Sequence, residues 1–89
     1  MTIRSEARLP HGYRVIFTWS DQGQLGCEWL PDVPRIVQPR QQRKFLAAYE
    51  RQRDAFLEEV ARCIGGPIIV SDMQGNARTI EPVERRMAG

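Results

Sequence analysis

The residues whose types suggest chemistry are scattered along the chain: one histidine, His11; two cysteines, Cys27 and Cys63; a Ser71-Asp72 pair; and the carboxylates Glu28, Asp32 and Glu81. A thiol–imidazole dyad would need Cys27 and His11 within hydrogen-bond reach. In the strand pairing derived below, His11 lies six residues before Phe17, the residue opposite Cys27. That separation is about 20 Å along the strands, so no dyad is expected. Cys63 falls near the end of a helix, where the macrodipole disfavours a thiolate. Ser71-Asp72 opens the run Asp72-Met73-Gln74-Gly75, and the residue preferences of a tight turn already account for Asp72 and Gly75. Glu28, Asp32, Asp72 and Glu81 have no spacing that makes them converge on a metal. The chain holds no glycine-rich phosphate loop and no GxSxG element. The expectation is a non-enzymatic protein with no catalytic, metal-binding or cofactor-binding residues.

Charge is the more informative signal. The 89 residues carry a formal net charge of only +2, yet all the basic residues except Lys44 are arginines. Arginine suits bidentate recognition of carboxylate or phosphate, although a GC-rich coding sequence gives the same bias. Arg35, Arg40, Arg43 and Lys44 gather where a long helix begins, an end at which the macrodipole favours negative charge; Glu58 and Glu59 lie in its second half. Each misplaced exposed charge costs about 0.3–1 kcal/mol, which pairs such as Glu58 with Arg62 can offset. The alternative is a basic end that receives an anionic partner.

That helix is the most firmly specified element. From Pro39 to Ile64 there is no internal glycine or proline, Pro39 suits the first turn, and Gly65-Gly66-Pro67 supplies a C-cap and a stop. At 100° per residue, Phe45, Tyr49, Phe56, Val60 and Cys63 share one narrow stripe, which Leu46, Leu57 and Ile64 extend to one side. Arg53 falls inside the stripe. It separates an N-terminal patch, Phe45, Leu46 and Tyr49, from a C-terminal patch, Phe56, Leu57, Val60 and Ile64. A buried, unpaired guanidinium costs several kcal/mol, so Arg53 needs water or a carboxylate, with Glu28, Asp72 and Glu81 as candidates. Two readings follow: an edge residue whose stem covers apolar surface, or a residue at an interface.

Around the helix the pattern has period two. Tyr13, Val15, Phe17 and Trp19 alternate with Arg14, Ile16 and Thr18, and after the loop Ser20–Gln24, Leu25, Cys27 and Trp29 alternate with Gly26 and Glu28. The predicted hairpin register sets Trp19 against Leu25, Phe17 against Cys27 and Val15 against Trp29, which puts every large side chain on one face. That face would stack nucleic-acid bases if open, but the helix needs it as its packing surface. Pro31, Pro34 and Pro39 make an extended connector with one short strand at residues 35–37. After the helix, "PIIVSD" and "NARTIE" form a second hairpin through the Asp72–Gly75 turn.

The predicted architecture is therefore α+β, in the order ββαββ: one antiparallel sheet of two hairpins packed on a long central helix. Residues 1–11 are expected to be a flexible segment, 12–82 the domain and 83–89 a mobile tail. The expected core is Phe17, Trp19, Trp29, Phe56, Leu57, Val60, Ile68 and Val70, with both cysteines reduced and half-buried. A helix of about 37 Å overhangs strands of about 23 Å, leaving one apolar patch for something else. That overhang, together with an uncovered sheet face, points to a homodimer.

No apolar run reaches transmembrane length and no segment resembles a signal peptide, so a cytoplasmic protein is expected. The function expected is a binding or accessory protein that docks onto another protein through Arg40, Arg43, Lys44, Tyr49 and Arg53. The alternative is a small nucleic-acid-binding regulator that uses the same basic helix end.

Overall fold

A computed structural model describes residues 2–71 and 75–82 of the chain. The elements run β1 (Ile3–Arg8), a 3-10 turn (Pro10–Gly12), β2 (Arg14–Trp19), β3 (Leu25–Leu30), α1 (Pro39–Ile64), β4 (Ile68–Ser71) and β5 (Ala77–Ile80). The α+β class and the order hairpin, helix, hairpin are as the sequence predicts. The register of the first hairpin also agrees, with Trp19 opposite Leu25, Phe17 opposite Cys27 and Val15 opposite Trp29.

Two features of the sheet differ from expectation. Residues 3–8, expected to be flexible, form β1 and pair antiparallel with β2, from Ile3 opposite Trp19 to Arg8 opposite Arg14. The alternation is present in the sequence, but the inner positions between Ile3 and Leu9 are only Ser5 and Ala7, too small to mark a buried strand. Their size has a use, because α1 can come close over β1 and β2. The outer positions Arg4, Glu6 and Arg8 charge this edge strand, which discourages pairing with another chain. The second difference is that β4 and β5 form a separate two-stranded sheet instead of joining the first. The predicted strand at residues 35–37 is absent, and that stretch is irregular. Asp72, Met73 and Gln74 of the predicted turn, and the predicted mobile tail 83–89, lie outside the described residues.

α1 has the predicted bounds. It begins with proline in its first turn and ends at Gly65, whose φ of 86° is left-handed. The Gly65 and Gly66 N–H groups both donate to the Ala61 carbonyl, closing the last turn. A two-stranded hairpin is marginal alone, so β4 and β5 depend on the helix they pack against.

The core forms where α1 lies on the inner face of β1–β3. Phe17 stacks on Phe56 at 5.4 Å and tilts against Tyr49 at 5.8 Å. Tyr13 meets Phe45 edge-on at 5.6 Å, and Trp29 touches both Phe45 and Tyr49. Phe17, Trp19, Phe56, Leu57, Val60 and Ile68 are buried as expected, Trp29 and Val70 pack at the margin, and Leu9, Val15, Phe45 and Ala61 join them. The outer face of β1–β3 carries Arg4, Glu6, Arg8, Arg14 and Glu28, with a 3.2 Å ion pair between Arg14 and Glu6. Ile16 is shielded at its centre.

Candidate functional site

Helical geometry divides the apolar stripe of α1 between two supports. Phe45, Tyr49, Phe56 and Val60 lie on the flank that meets β1–β3, and Leu57 and Ala61 are rotated by roughly 60–100° from Val60. All of these except Tyr49 are buried, in one cluster with Ile68, Val70 and Ile80 of the second sheet. Leu46 occupies the same flank as Leu57, three turns earlier, and is 53% exposed. The predicted split into a packed patch and a free patch is therefore corrected: the sheet takes Phe45 and Tyr49, and of the N-terminal patch only Leu46 is left open.

The N-terminal end of the helix is met by the connector. The Arg35 N–H donates to the Tyr13 hydroxyl at 3.3 Å, Ile36 packs on the core, and the Gln42 side-chain amide donates to the Ile36 carbonyl. These contacts frame a cavity of about 350 Å³ lined by His11, Tyr13, Arg35, Ile36, Val37, Gln38 and Gln41. Gln38, at the N-cap, makes no side-chain capping bond, and the first turn has no acidic residue.

The five residues singled out from sequence fall into two groups. Arg40, Arg43 and Lys44 are exposed. Among the described residues none of them has an ion-pair partner, nor do Arg35 and Arg51. Tyr49 and Arg53 are half-buried and touch each other, with the guanidinium carbon 5.7 Å from the ring centroid. Of the carboxylates proposed for Arg53, Asp72 is outside the described residues, and neither Glu28 nor Glu81 pairs with it. Its partner is Asp54, whose Oδ1 lies 3.3 Å from Arg53 Nε and 2.8 Å from Arg78 Nη2 on β5. Arg62 pairs with Glu59, not Glu58.

Leu46 links the two groups. Its neighbours three and four residues away are Gln42, Arg43, Tyr49 and Glu50. The surface is an exposed leucine with cations on one side and a partly open aromatic on the other. Sequence periodicity places Leu46 on the stripe but does not mark it as a contact residue, because the sequence does not show how far the second hairpin reaches.

No protein-family model, curated protein or solved structure matches the chain.

Cys27 and Cys63 are both exposed, where half-burial was expected. Cys27 sits on edge strand β3, with no further strand to cover it, and Cys63 in the last helical turn. The Cys27 Sγ lies 3.4 Å from the Tyr49 hydroxyl. Burial, then the hydrogen bond and charge of Cys27, and then Glu50 push the Tyr49 phenol up to about 12, against the opposing charge of Arg53. Tyr49 is thus a protonated, orienting group near neutral pH, not a base. Among the described residues no group of three or more His, Cys, Asp or Glu can hold a metal ion, and no helix is long and apolar enough to cross a membrane. The aromatic face considered for base stacking lies beneath α1, with Phe17 and Trp19 buried.

Proposed function

We propose that the protein is a non-enzymatic docking module that binds another protein through the N-terminal half of α1. The observation that carries this reading is the exposed Leu46, framed by Arg43, Tyr49 and Glu50 on a helix that the buried Phe45 anchors to the sheet. Contact surfaces of this kind combine an apolar anchor with a polar rim, and arginine and tyrosine are favoured in them. The outer sheet face, charged across all three strands, offers a second copy little apolar contact. Self-association, if the chain uses it, therefore belongs on the helix as well.

A photo-crosslinking side chain at position 46 tests the reading in the producing cell. Discrete adducts at position 46, absent with the same group at Thr18 on the outer sheet face and lost with Arg43→Glu, support it. An adduct of twice the chain mass identifies self-docking. Equal adducts at both positions, or none at position 46, overturn it.

The cations at Arg40, Arg43 and Lys44, which have no ion-pair partner among the described residues, favour the nucleic-acid reading as the alternative. Phosphate contacts make affinity fall steeply with salt, whereas contact centred on Leu46 and Tyr49 weakens far less. Titration with duplex and single-stranded oligonucleotides at low and high salt, with no binding at either, removes this alternative.

A further inference from the structure

We infer that the occupant of this face is an acidic, amphipathic segment of a foreign protein, an inference that rests on the docking reading above. Between Arg35 and Arg53 six cations stand against one carboxylate, Glu50, although the whole chain carries only +2. Five of the six have no ion-pair partner among the described residues, and the sixth, Arg53, shares Asp54 with Arg78. A surface so charged repels its own kind and attracts carboxylates. Val37 is 87% exposed beside the cavity at the helix start, and Leu46 lies about 12 Å further along the axis from Gln38. Two apolar points about two turns apart, with cations along one side, match a short segment with apolar residues on one side and Asp or Glu on the other.

The same observations separate this partner from its competitors. A phosphate backbone has no use for Val37 and Leu46 and would meet Glu50 at close range. A second copy is poorly matched because it would bring the same surplus of cations to the contact, and three of its acids are already paired: Glu6 with Arg14, Asp54 with Arg53 and Arg78, and Glu59 with Arg62. The complementary charge comes from elsewhere. Charge of this kind mainly speeds encounter and selects the partner, while the apolar anchors slow release.

The test is fluorescence anisotropy of the full chain with three labelled probes: a short peptide of Glu with Leu at helical spacing, the same peptide with Gln for every Glu, and a DNA duplex of similar length. The Glu peptide is expected to bind at least about tenfold tighter than the Gln peptide, with the advantage shrinking as salt is raised. Arg43→Glu is expected to weaken the Glu peptide by about tenfold or more, while Arg8→Glu on the outer sheet face, an identical change in charge, leaves it within about twofold. Circular dichroism checks that both variants are folded.

Equal binding of the two peptides, still abolished by Leu46→Glu, overturns the acidic partner and leaves the docking face standing. Loss of all peptide binding together with failure of the position-46 adducts overturns both. Tighter binding of the duplex than of the Glu peptide, or equal loss with Arg8→Glu, also overturns the inference.

Discussion

The two halves of α1 have the same helical pattern but different surroundings. Residues 56–61 are covered from two directions, so that Phe56, Leu57, Val60 and Ala61 are all buried, and apolar exposure returns only in the last turn, at Ile64. Residues 39–53 rest on one sheet only, which covers Phe45, half-covers Tyr49 and leaves Leu46 in solvent. The stretch 56–61 is thus committed to stability, and the N-terminal half is available for contact. Apolar pattern alone says which residues would be buried if something covered them; coverage depends on where the short β4–β5 hairpin lands.

The largest effect should come from testing that contrast directly. Leu57 is 0% exposed, and Leu57→Ala is expected to cost about 2–5 kcal/mol by transfer loss and cavity formation. Leu46→Ala, on the same flank, should stay within about 0.5 kcal/mol of wild type. Urea denaturation of both variants checks this. Similar losses would mean that Leu46 is a core residue and the open face does not exist.

Much of the fold was legible because local chemistry and periodicity agreed. Pro39 and Gly65-Gly66-Pro67 bounded the helix, and the Trp19, Phe17 and Val15 alternation fixed the register of the first hairpin before any partner was seen. β1 was harder to read because Ser5 and Ala7 contribute little hydrophobic signal, so Arg4, Glu6 and Arg8 resembled an uncommitted tail. The division into two sheets was not legible at all, since a strand's pattern does not name its neighbour. At the candidate site the anomaly of Arg53 was visible from sequence. Its solution was not, because Asp54 lies next to it on the helix, and only the placement of β5 shows that Asp54 also holds Arg78.

The two ends of the helix give the next contrast. Gly65 is left-handed, and a methyl group there meets nothing within 4 Å, so Gly65→Ala reports backbone strain alone. A cost of about 1–2 kcal/mol is expected in thermal or chemical denaturation. At the other end, Gln38 has extended φ and ψ of −75° and 124° but no capping bond. Gln38→Asp should stabilise by about 0.5–1 kcal/mol, through a capping bond and a favourable charge at the helix start. The same variant should weaken the Glu peptide, because it places a carboxylate beside the cations that bind it. A gain in stability with no loss of binding would detach the basic end from the docking surface.

A smaller effect separates the support of Asp54 from that of the apolar residues. Asp54 joins the helix to β5 through Arg78, but both side chains are about half exposed, at 42% and 51%. A double-mutant cycle of Asp54→Ala and Arg78→Ala should therefore give a coupling of only about 0.2–1 kcal/mol, falling as salt is raised. A larger, salt-insensitive coupling would show that the ion pair, not the Leu57 cluster, fastens the hairpin to the C-terminal half.

Tyr49 gives the finest measure of how far the N-terminal half is covered. Its phenol titrates at about 12 in the folded chain, against an ordinary value of 10.0, chiefly because burial disfavours the phenolate. In the unfolded chain the proton leaves first, so stability contributed by this group is present in full below pH 10 and is lost as pH rises from 10 toward 12. Wild type should therefore show a falling denaturation midpoint in that window. Tyr49→Phe should show a shallower fall and lack the highest-pH step in tyrosinate absorbance. Identical profiles for the two proteins would place the Tyr49 hydroxyl in open solvent beside Leu46. The exposed surface would then extend from Leu46 across Tyr49 to Arg53.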